Sequence, residues 1–221
     1  MAEAYAAKGQ ALCHKGRYVE AIAAHEESLR LDPDSYDVRA AFGTTCMYSG
    51  RPEAAIENFE RAAQLLQADY LCQNLAAVCY NALGRHDEAR SAARRSLARI
   101  EKEIALRPDN THAMALGVGD LAYLGEKERA KEWASRVLII QPEDAGDYHN
   151  LACALVQLNE LDGALDLLER YTPKMAPERI DWIKRDVDLE PLRHEPRFQA
   201  LIAQCEARLA QVQAEHSATR H

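Results

Sequence analysis

The stretch Lys15-Gly16-Arg17-Tyr18-Val19-Glu20-Ala21-Ile22 returns 34 residues later as Ser49-Gly50-Arg51-Pro52-Glu53-Ala54-Ala55-Ile56. A third copy, Leu83-Gly84-Arg85-His86-Asp87-Glu88-Ala89-Arg90, follows at the same step. Two further copies begin at Leu124 and Leu158, again 34 residues apart from each other. Self-similarity at a fixed period indicates a repeat architecture, in which each copy is one supersecondary unit that stacks on its neighbours.

The composition favours helices throughout the chain. Ala and Leu, both strong helix formers, supply 39 and 25 of the 221 residues, whereas Gly and Pro number only 10 and 8. Lys and Arg total 27 against 35 Asp and Glu, and the resulting net charge of -8 disfavours both a nucleic-acid grip and a polybasic membrane patch. We therefore expect an all-α protein with no nucleic-acid and no membrane partner.

The cysteine pattern and the N-terminal residues indicate the cellular compartment of the protein. The cysteines at positions 13, 46, 72, 79, 153 and 205 form no Cys-x-x-Cys pair, which is typical of reduced, buried thiols. The opening residues lack the basic and apolar regions of a secretory signal, and no apolar run reaches the ~18 residues of a membrane helix. These features predict a cytoplasmic protein.

The five copies resemble the tetratricopeptide repeat (TPR), a helix–turn–helix unit of the same period. Position 20 of every unit is Ala, and position 8 is Gly, Gly, Ala, Val and Ala along the array, so the two helices of a unit can approach closely. The resemblance implies a right-handed superhelical solenoid of about five helix pairs, followed by capping helices. The five repeats would span 1–172, as 2–35, 36–69, 70–110, 111–144 and 145–172.

The third unit is longer than the others. Its final Pro arrives at position 108, seven residues later than the period requires. Because seven residues make two helical turns, the apolar face from Ala89 to Ile104 stays in phase. A second helix lengthened by ~10 Å is therefore expected here.

The period stops after residue 172. Residues 173–213 are predicted to form a capping segment, which a solenoid needs where its last apolar face would meet water. Within it, Phe198, Leu201 and Ile202 are expected to dock near Leu165 and Leu168. The polar residues 214–221 are predicted to be a disordered tail.

Two groups of side chains could bind a metal ion. His149 and Cys153 lie four residues apart on one helix face, and His112 would share their wall, so three zinc-type donors could meet. Their spacing is not that of a structural zinc site, and a structural role is favoured.

Asp186, Asp188 and Glu190 alternate like the start of a calcium loop, but Pro191 and Arg197 stand where that loop needs Gly and Glu. A capping or turn-forming role is favoured for these acids. No Ser, Cys or Lys nucleophile has a recognisable base beside it in sequence. We expect no metal, no cofactor, no catalytic residue and hence no enzyme.

The family resemblance implies a binding groove formed by the first helix of each repeat. The groove of chaperone-binding members holds a carboxylate with Lys, Arg and Asn, whereas here only Asn74 fits, in the wrong repeat. We therefore expect a non-catalytic scaffold that binds a neutral to weakly basic protein or peptide segment. The predicted groove residues are Gln10, His14, Thr44, Tyr48, Asn74, Val78, Asn81, His112, Tyr123, His149 and Cys153.

The C-terminal part carries a narrower resemblance. The pattern Asp-x-Asp-Leu-x-Pro-Leu-Arg from Asp186, together with Tyr148-His-Asn-Leu-Ala-Cys153, is similar to endings of TPR modules attached to bacterial class III nucleotide cyclases and related signalling proteins. The alternative function is therefore a regulatory or sensory module of a covalently linked enzyme domain. No cyclase catalytic domain fits in this chain.

Overall fold

A computed structural model of the protein describes residues 1–142, 147–175 and 180–218. The described residues form α-helices and short 3-10 turns and contain no strand, which confirms the all-α prediction. The chain divides into two compact units, Met1–Pro108 and Asp109–His221. The predicted boundary at 144/145, part of the predicted start of the cap (176–179) and the last residues (219–221) lie outside the described residues.

The unit Met1–Pro108 consists of three helix pairs. The two helices of each pair pack against each other, and the second helices of the first two pairs also contact the first helix of the next pair. The helices are α1 (Ala2–His14), α2 (Tyr18–Leu31), α3 (Tyr36–Tyr48), α4 (Pro52–Leu65), α5 (Leu71–Ala82) and α6 (His86–Leu106).

The lengthened helix of the third pair is present. Helix α6 has 21 residues, whereas α2 and α4 have 14 each. The difference of seven residues confirms the two extra turns, and Ala93, Leu97 and Ile100 continue its buried face.

The unit Asp109–His221 holds two further pairs and a closing segment. The first pair is α7 with α8 and the second is α9 with α10, and α7 also contacts α9. Among the described residues of the closing segment, the 3-10 turns Thr172–Lys174 and Val187–Leu192 flank a short helix. The helices are α7 (Thr111–Leu124), α8 (Lys127–Ile140), α9 (Tyr148–Gln157), α10 (Leu161–Tyr171), α11 (Ile180–Arg185) and α12 (Pro196–Ala218).

One turn geometry joins the helices within all five pairs. The residue at position 15 has a left-handed backbone, with φ between 68° and 76° at four glycines and 62° at Asn159. The next N–H donates to the carbonyl five residues earlier, as in Arg17 to Leu12 at 3.0 Å and Glu160 to Leu155 at 2.8 Å. This pair of features is a Schellman ending, which explains why Gly recurs there. The four glycines are Gly16, Gly50, Gly84 and Gly125.

Close helix contacts explain the small residues of the first two repeats. A Cβ added to Gly43 would lie 2.6 Å from the Phe59 ring, and one added to Gly9 would lie 2.6 Å from the His25 ring. Both rings are completely buried. The glycines at position 8 therefore leave space for the rings at position 24, and the Ala at position 20 is buried in every repeat.

Helix α12 covers α10 in the closing segment. Phe198 and Leu201 are buried, as are Leu165 and Leu168, and the two helices are in contact, whereas Ile202 is only partly buried. The guanidinium of Arg197 adds ion pairs to Asp166 at 2.7 Å and to Glu169 at 2.9 Å on α10. The helix includes residues 214–218, which the sequence assigned to a disordered tail.

All six cysteines are free thiols and all are buried, as their scatter along the sequence predicts. Within the described ranges, we find no helix that combines the length and apolar character needed to cross a membrane.

Candidate functional site

The predicted groove residues of the unit Met1–Pro108 differ in exposure. Asn74 is only 5% exposed, so it presents little surface to a ligand and its prediction as a contact residue is weakened. Gln10 and His14 of α1 are exposed, and the rest are partly buried. The residues that keep a solvent-facing surface are Gln10, His14, Thr44, Tyr48, Val78 and Asn81.

These six solvent-facing residues differ in charge from the second helices of the unit. None of these six solvent-facing residues is Lys, Arg, Asp or Glu. The second helices instead carry ion pairs, such as Arg30 with Glu27 at 2.7 Å within α2. Arg95 of α6 pairs with Glu60 of α4 at 2.7 Å and joins two second helices. The charged network therefore lies on the second helices, apart from the neutral residues of α1, α3 and α5.

The four predicted groove residues of the unit Asp109–His221 have different surroundings. His112 is exposed, and its Nδ1 lies 3.0 Å from Oδ1 of Asp147 at the start of α9. The Tyr123 hydroxyl donates to Asp188 at 3.4 Å. His149 and Cys153 are buried. The structure therefore corrects the predicted grouping of His112 with these two residues, because the third member of their cluster is Asp186.

His149, Cys153 and Asp186 converge on a small volume. Helix α9 places the imidazole and the thiol one turn apart, with Sγ 3.4 Å from Nε2. Oδ2 of Asp186, which follows α11, lies 2.8 Å from the same Nε2 and 3.8 Å from Sγ. The side chains of His149 and Asp186 are 5% and 12% exposed. Three donor atoms of different kinds therefore face one point inside the unit.

The backbone that follows holds Asp186 in this orientation. Its Oδ1 accepts a hydrogen bond from the Asp188 N–H at 3.0 Å, which caps the 3-10 turn Val187–Leu192. The capping role predicted from the sequence is thus present for Asp186. Because Oδ1 is engaged, Oδ2 is the oxygen that faces His149 and Cys153.

Burial and nearby carboxylates alter two ionisable groups at this cluster. Burial raises the pKa of the Cys153 thiol well above its usual value, and the negative charges of Asp186 and Asp188 raise it further. Burial and the Asp188 carboxylate likewise raise the pKa of the Tyr123 phenol. Both groups are therefore protonated at neutral pH in the ion-free protein.

The cluster does not have the geometry of a catalytic triad. In a triad the nucleophile contacts one imidazole nitrogen and the carboxylate contacts the other. Here Cys153 and Asp186 both contact Nε2 of His149. A nucleophilic cysteine also needs a lowered pKa, whereas that of Cys153 is raised. Nucleophilic catalysis is thus disfavoured at this cluster.

The helix pairs, their shared turn and the ring-on-glycine contacts define a helical repeat protein. Sequence models described as tetratricopeptide repeat match residues 2–35, 41–111 and 148–170, more than half of the chain in total. The chain belongs to the tetratricopeptide repeat family. Repeats of this family generally serve as non-catalytic scaffolds for protein interaction.

Solved structures support the same fold at low sequence identity. The thermophilic TPR protein TTC0263 of Thermus thermophilus aligns with a TM-score of 0.61 at 19% identity, over 84% of this chain and 96% of its own. PilF of Pseudomonas aeruginosa aligns with a TM-score of 0.56 at 16% identity, over 92% and 97%. MamA of Desulfovibrio magneticus aligns at 0.51 and 14% identity, over 78% and 93%.

At such low sequence identity, these structural similarities show the fold alone. A search of curated protein sequences finds no significant match. The narrower resemblance to cyclase-attached modules is not shown by these comparisons and stays a prediction.

Asp186 is the residue of the buried cluster that sequence reasoning did not assign. The sequence signal at Asp186 is its alternation with Asp188 and Glu190. That alternation resembles the start of a calcium loop and does not point to the His149–Cys153 pair. The contact between residues 37 positions apart depends on how the closing segment folds back on α9. The repeat period does not extend into the closing segment, so it gives no information on how that segment folds.

Proposed function

We propose that the first-helix face of α1, α3 and α5 binds an extended or helical segment of another protein. The observation that carries the proposal is the run of neutral, solvent-facing side chains on three successive first helices, defined above by six residues from Gln10 to Asn81. Aromatic, aliphatic and amide groups on one surface offer apolar contact together with a few orienting hydrogen bonds. The family supports a scaffold function of this kind.

The charge of this chain indicates which kind of protein segment can bind. The six residues include no Lys or Arg, and α1 and α3 also carry the exposed charged residues Glu3, Lys8 and Asp37. The whole chain carries a net charge of -8. A neutral to weakly basic segment is therefore favoured over an acidic one, which would meet no Lys or Arg among these six residues and would be repelled over longer range.

The test compares two triple variants of the full chain. The groove variant replaces Gln10, His14 and Val78 with Ala, because these residues have surface in solvent. The control replaces Glu26, Arg94 and Lys102, exposed residues of the second helices α2 and α6, with Ala. Asn74 and Tyr123 are left unchanged because the first is buried and the second bonds Asp188.

Both variants should keep the helicity of the parent chain by circular dichroism. We expect the groove variant to lose more than about 90% of captured partner proteins in quantitative affinity purification, and the control to retain them, since a few contacts dominate a binding site. A peptide from the leading partner should then bind the purified chain directly in calorimetry. The proposal is wrong if the groove variant keeps its partners and the control loses them.

A further inference from the structure

We propose that His149 Nε2, Cys153 Sγ and Asp186 Oδ2 bind one divalent metal ion of the zinc type, which fastens the turn Val187–Leu192 onto α9. The three donors come from two segments that are far apart in sequence, and the turn is in contact with α9. Nothing in the interaction function requires this site, so it goes beyond the function proposed above.

The spacing of the donors agrees with tetrahedral coordination. Zinc lies about 2.0–2.1 Å from imidazole nitrogen, about 2.3 Å from thiolate sulfur and about 2.0–2.2 Å from carboxylate oxygen. At tetrahedral angles these bond lengths separate the donor atoms by roughly 3.3–3.6 Å. The sulfur of Cys153 lies 3.4 Å from Nε2, which is inside this range, and 3.8 Å from Oδ2, which is slightly beyond it. Only the 2.8 Å between Nε2 and Oδ2 has to open, by about 0.5 Å.

The direction of the contacts also favours a common ion. Sulfur and carboxylate oxygen both approach Nε2, which is the arrangement of ligands around one centre rather than of a proton relay. The hydrogen bond from the Asp188 N–H to Oδ1 fixes the carboxylate from outside. Outer contacts of this kind orient the ligands of metal sites.

The segment that supplies the oxygen donor brings two carboxylates to this part of the unit. Asp186 and Asp188 are both largely buried. Arg193 reaches this segment through the Asp186 carbonyl at 3.4 Å, while its guanidinium pairs with Glu190 at 2.6 Å. A bound divalent cation would add positive charge beside these two carboxylates.

The donor types select the class of metal. Imidazole nitrogen and thiolate sulfur suit zinc and its neighbours, whereas calcium and magnesium require oxygen ligands. On binding, the Sγ–H bond of Cys153 breaks, the proton leaves to solvent and a metal–sulfur bond forms. A water molecule would take the fourth position.

The experiment uses the full chain, stripped with a chelator under a non-thiol reductant and titrated with Co²⁺ and Zn²⁺. We expect one Co²⁺ per chain with a thiolate-to-cobalt charge-transfer band, and a rise in Tm when Zn²⁺ is added. Cys153→Ser should abolish that band. Cys153→Ser and Asp186→Asn should each weaken binding by at least about 100-fold.

Matched controls separate this site from other thiols and acids. Cys205→Ser removes a buried thiol of α12, and Glu190→Gln removes an exposed carboxylate of the same segment, so both should bind Co²⁺ as the parent chain does. The proposal fails if the parent chain shows no thiolate–cobalt band, or if Cys153→Ser binds as tightly as the parent.

A second measurement needs no variant. Residue-resolved alkylation in mild denaturant should show that Zn²⁺ slows the modification of Cys153 far more than that of the other five cysteines. Equal protection of all six would overturn the assignment even where Cys153→Ser or Asp186→Asn fails to fold.

Discussion

The units Met1–Pro108 and Asp109–His221 are built from the same kind of helix pair, but they differ in the residues at the closest contact between the two helices. In the first unit, Gly9 and Gly43 at position 8 face the rings of His25 and Phe59 at position 24. In the second unit, position 8 is larger and position 24 is aliphatic. The corresponding residues there are Val118 with Ala134 and Ala152 with Leu168, all of them buried.

In the first, second and fourth repeats the residues at the two positions have complementary sizes, whereas the third repeat has Ala at both, Ala77 and Ala93. Where position 8 has no side chain a ring fills the space, and where position 8 is Val the residue at position 24 shrinks to Ala. Because interiors are densely packed, a large residue at one of these positions leaves room only for a small one at the other. The units can therefore differ in sequence and still keep one repeat geometry.

Adding one carbon atom should have opposite effects in the two units. In Gly43→Ala the new Cβ would lie 2.6 Å from the Phe59 ring, which is fully buried and cannot move aside. We expect the free energy of unfolding to fall by about 1–3 kcal/mol, measured by urea denaturation. Gly119→Ala, in α7, is the control because nothing lies within 4 Å of its added Cβ.

Gly119→Ala should raise the free energy of unfolding by about 0.4–1 kcal/mol, since it restricts the unfolded chain without a clash. Equal effects of the two substitutions would contradict the claim that the ring, and not helix propensity, requires glycine in the first unit.

The turn at position 15 offers a smaller contrast between the units. The first unit has glycine in all three of its turns, whereas the second has Asn159 with φ of 62° in one of its two. Asn159→Gly should raise the free energy of unfolding by less than about 1 kcal/mol, and Asn159→Ala should lower it by about 1 kcal/mol. Thermal and urea denaturation of the three chains should give the order Gly, Asn, Ala. A reversed order would show that the Asn159 side chain stabilises the turn more than its backbone strain costs.

The fold could be predicted because its determinants are local and periodic. The glycine turns, the Ala at position 20 and the two extra turns of α6 each depend on residues within one repeat. The cluster of His149, Cys153 and Asp186 could be predicted only in part. Its two helical members follow from the spacing of four residues, whereas Asp186 reaches them through a closing segment without a period. The burial of Asn74 depends on packing between neighbouring elements and could not be read from its position in the repeat.

The smallest expected effect on stability concerns His25. Of the two rings that pack against a glycine at position 8, those of His25 and Phe59, it is the polar one. Its Nε2 lies 3.1 Å from the Thr45 hydroxyl, which itself donates to the Ala41 carbonyl at 3.0 Å, so Nε2 carries the proton and donates to Thr45. Burial lowers the pKa of His25 below its usual value of 6.5. The unfolded chain therefore takes up a proton below about pH 6.5 more readily than the folded chain, and stability is lost as the pH falls.

The substitution His25→Phe copies the contact of the second repeat and removes this source of acid sensitivity. We expect the variant to lose less free energy of unfolding than the parent between pH 7 and pH 5, roughly the range in which an ordinary histidine gains its charge. Phe59→His is the reciprocal control, because it buries an imidazole at the equivalent contact and should increase the loss over the same range. Urea denaturation at a series of pH values measures both. If His25→Phe followed the parent curve at every pH, the acid sensitivity would have to come from groups other than the ring above Gly9.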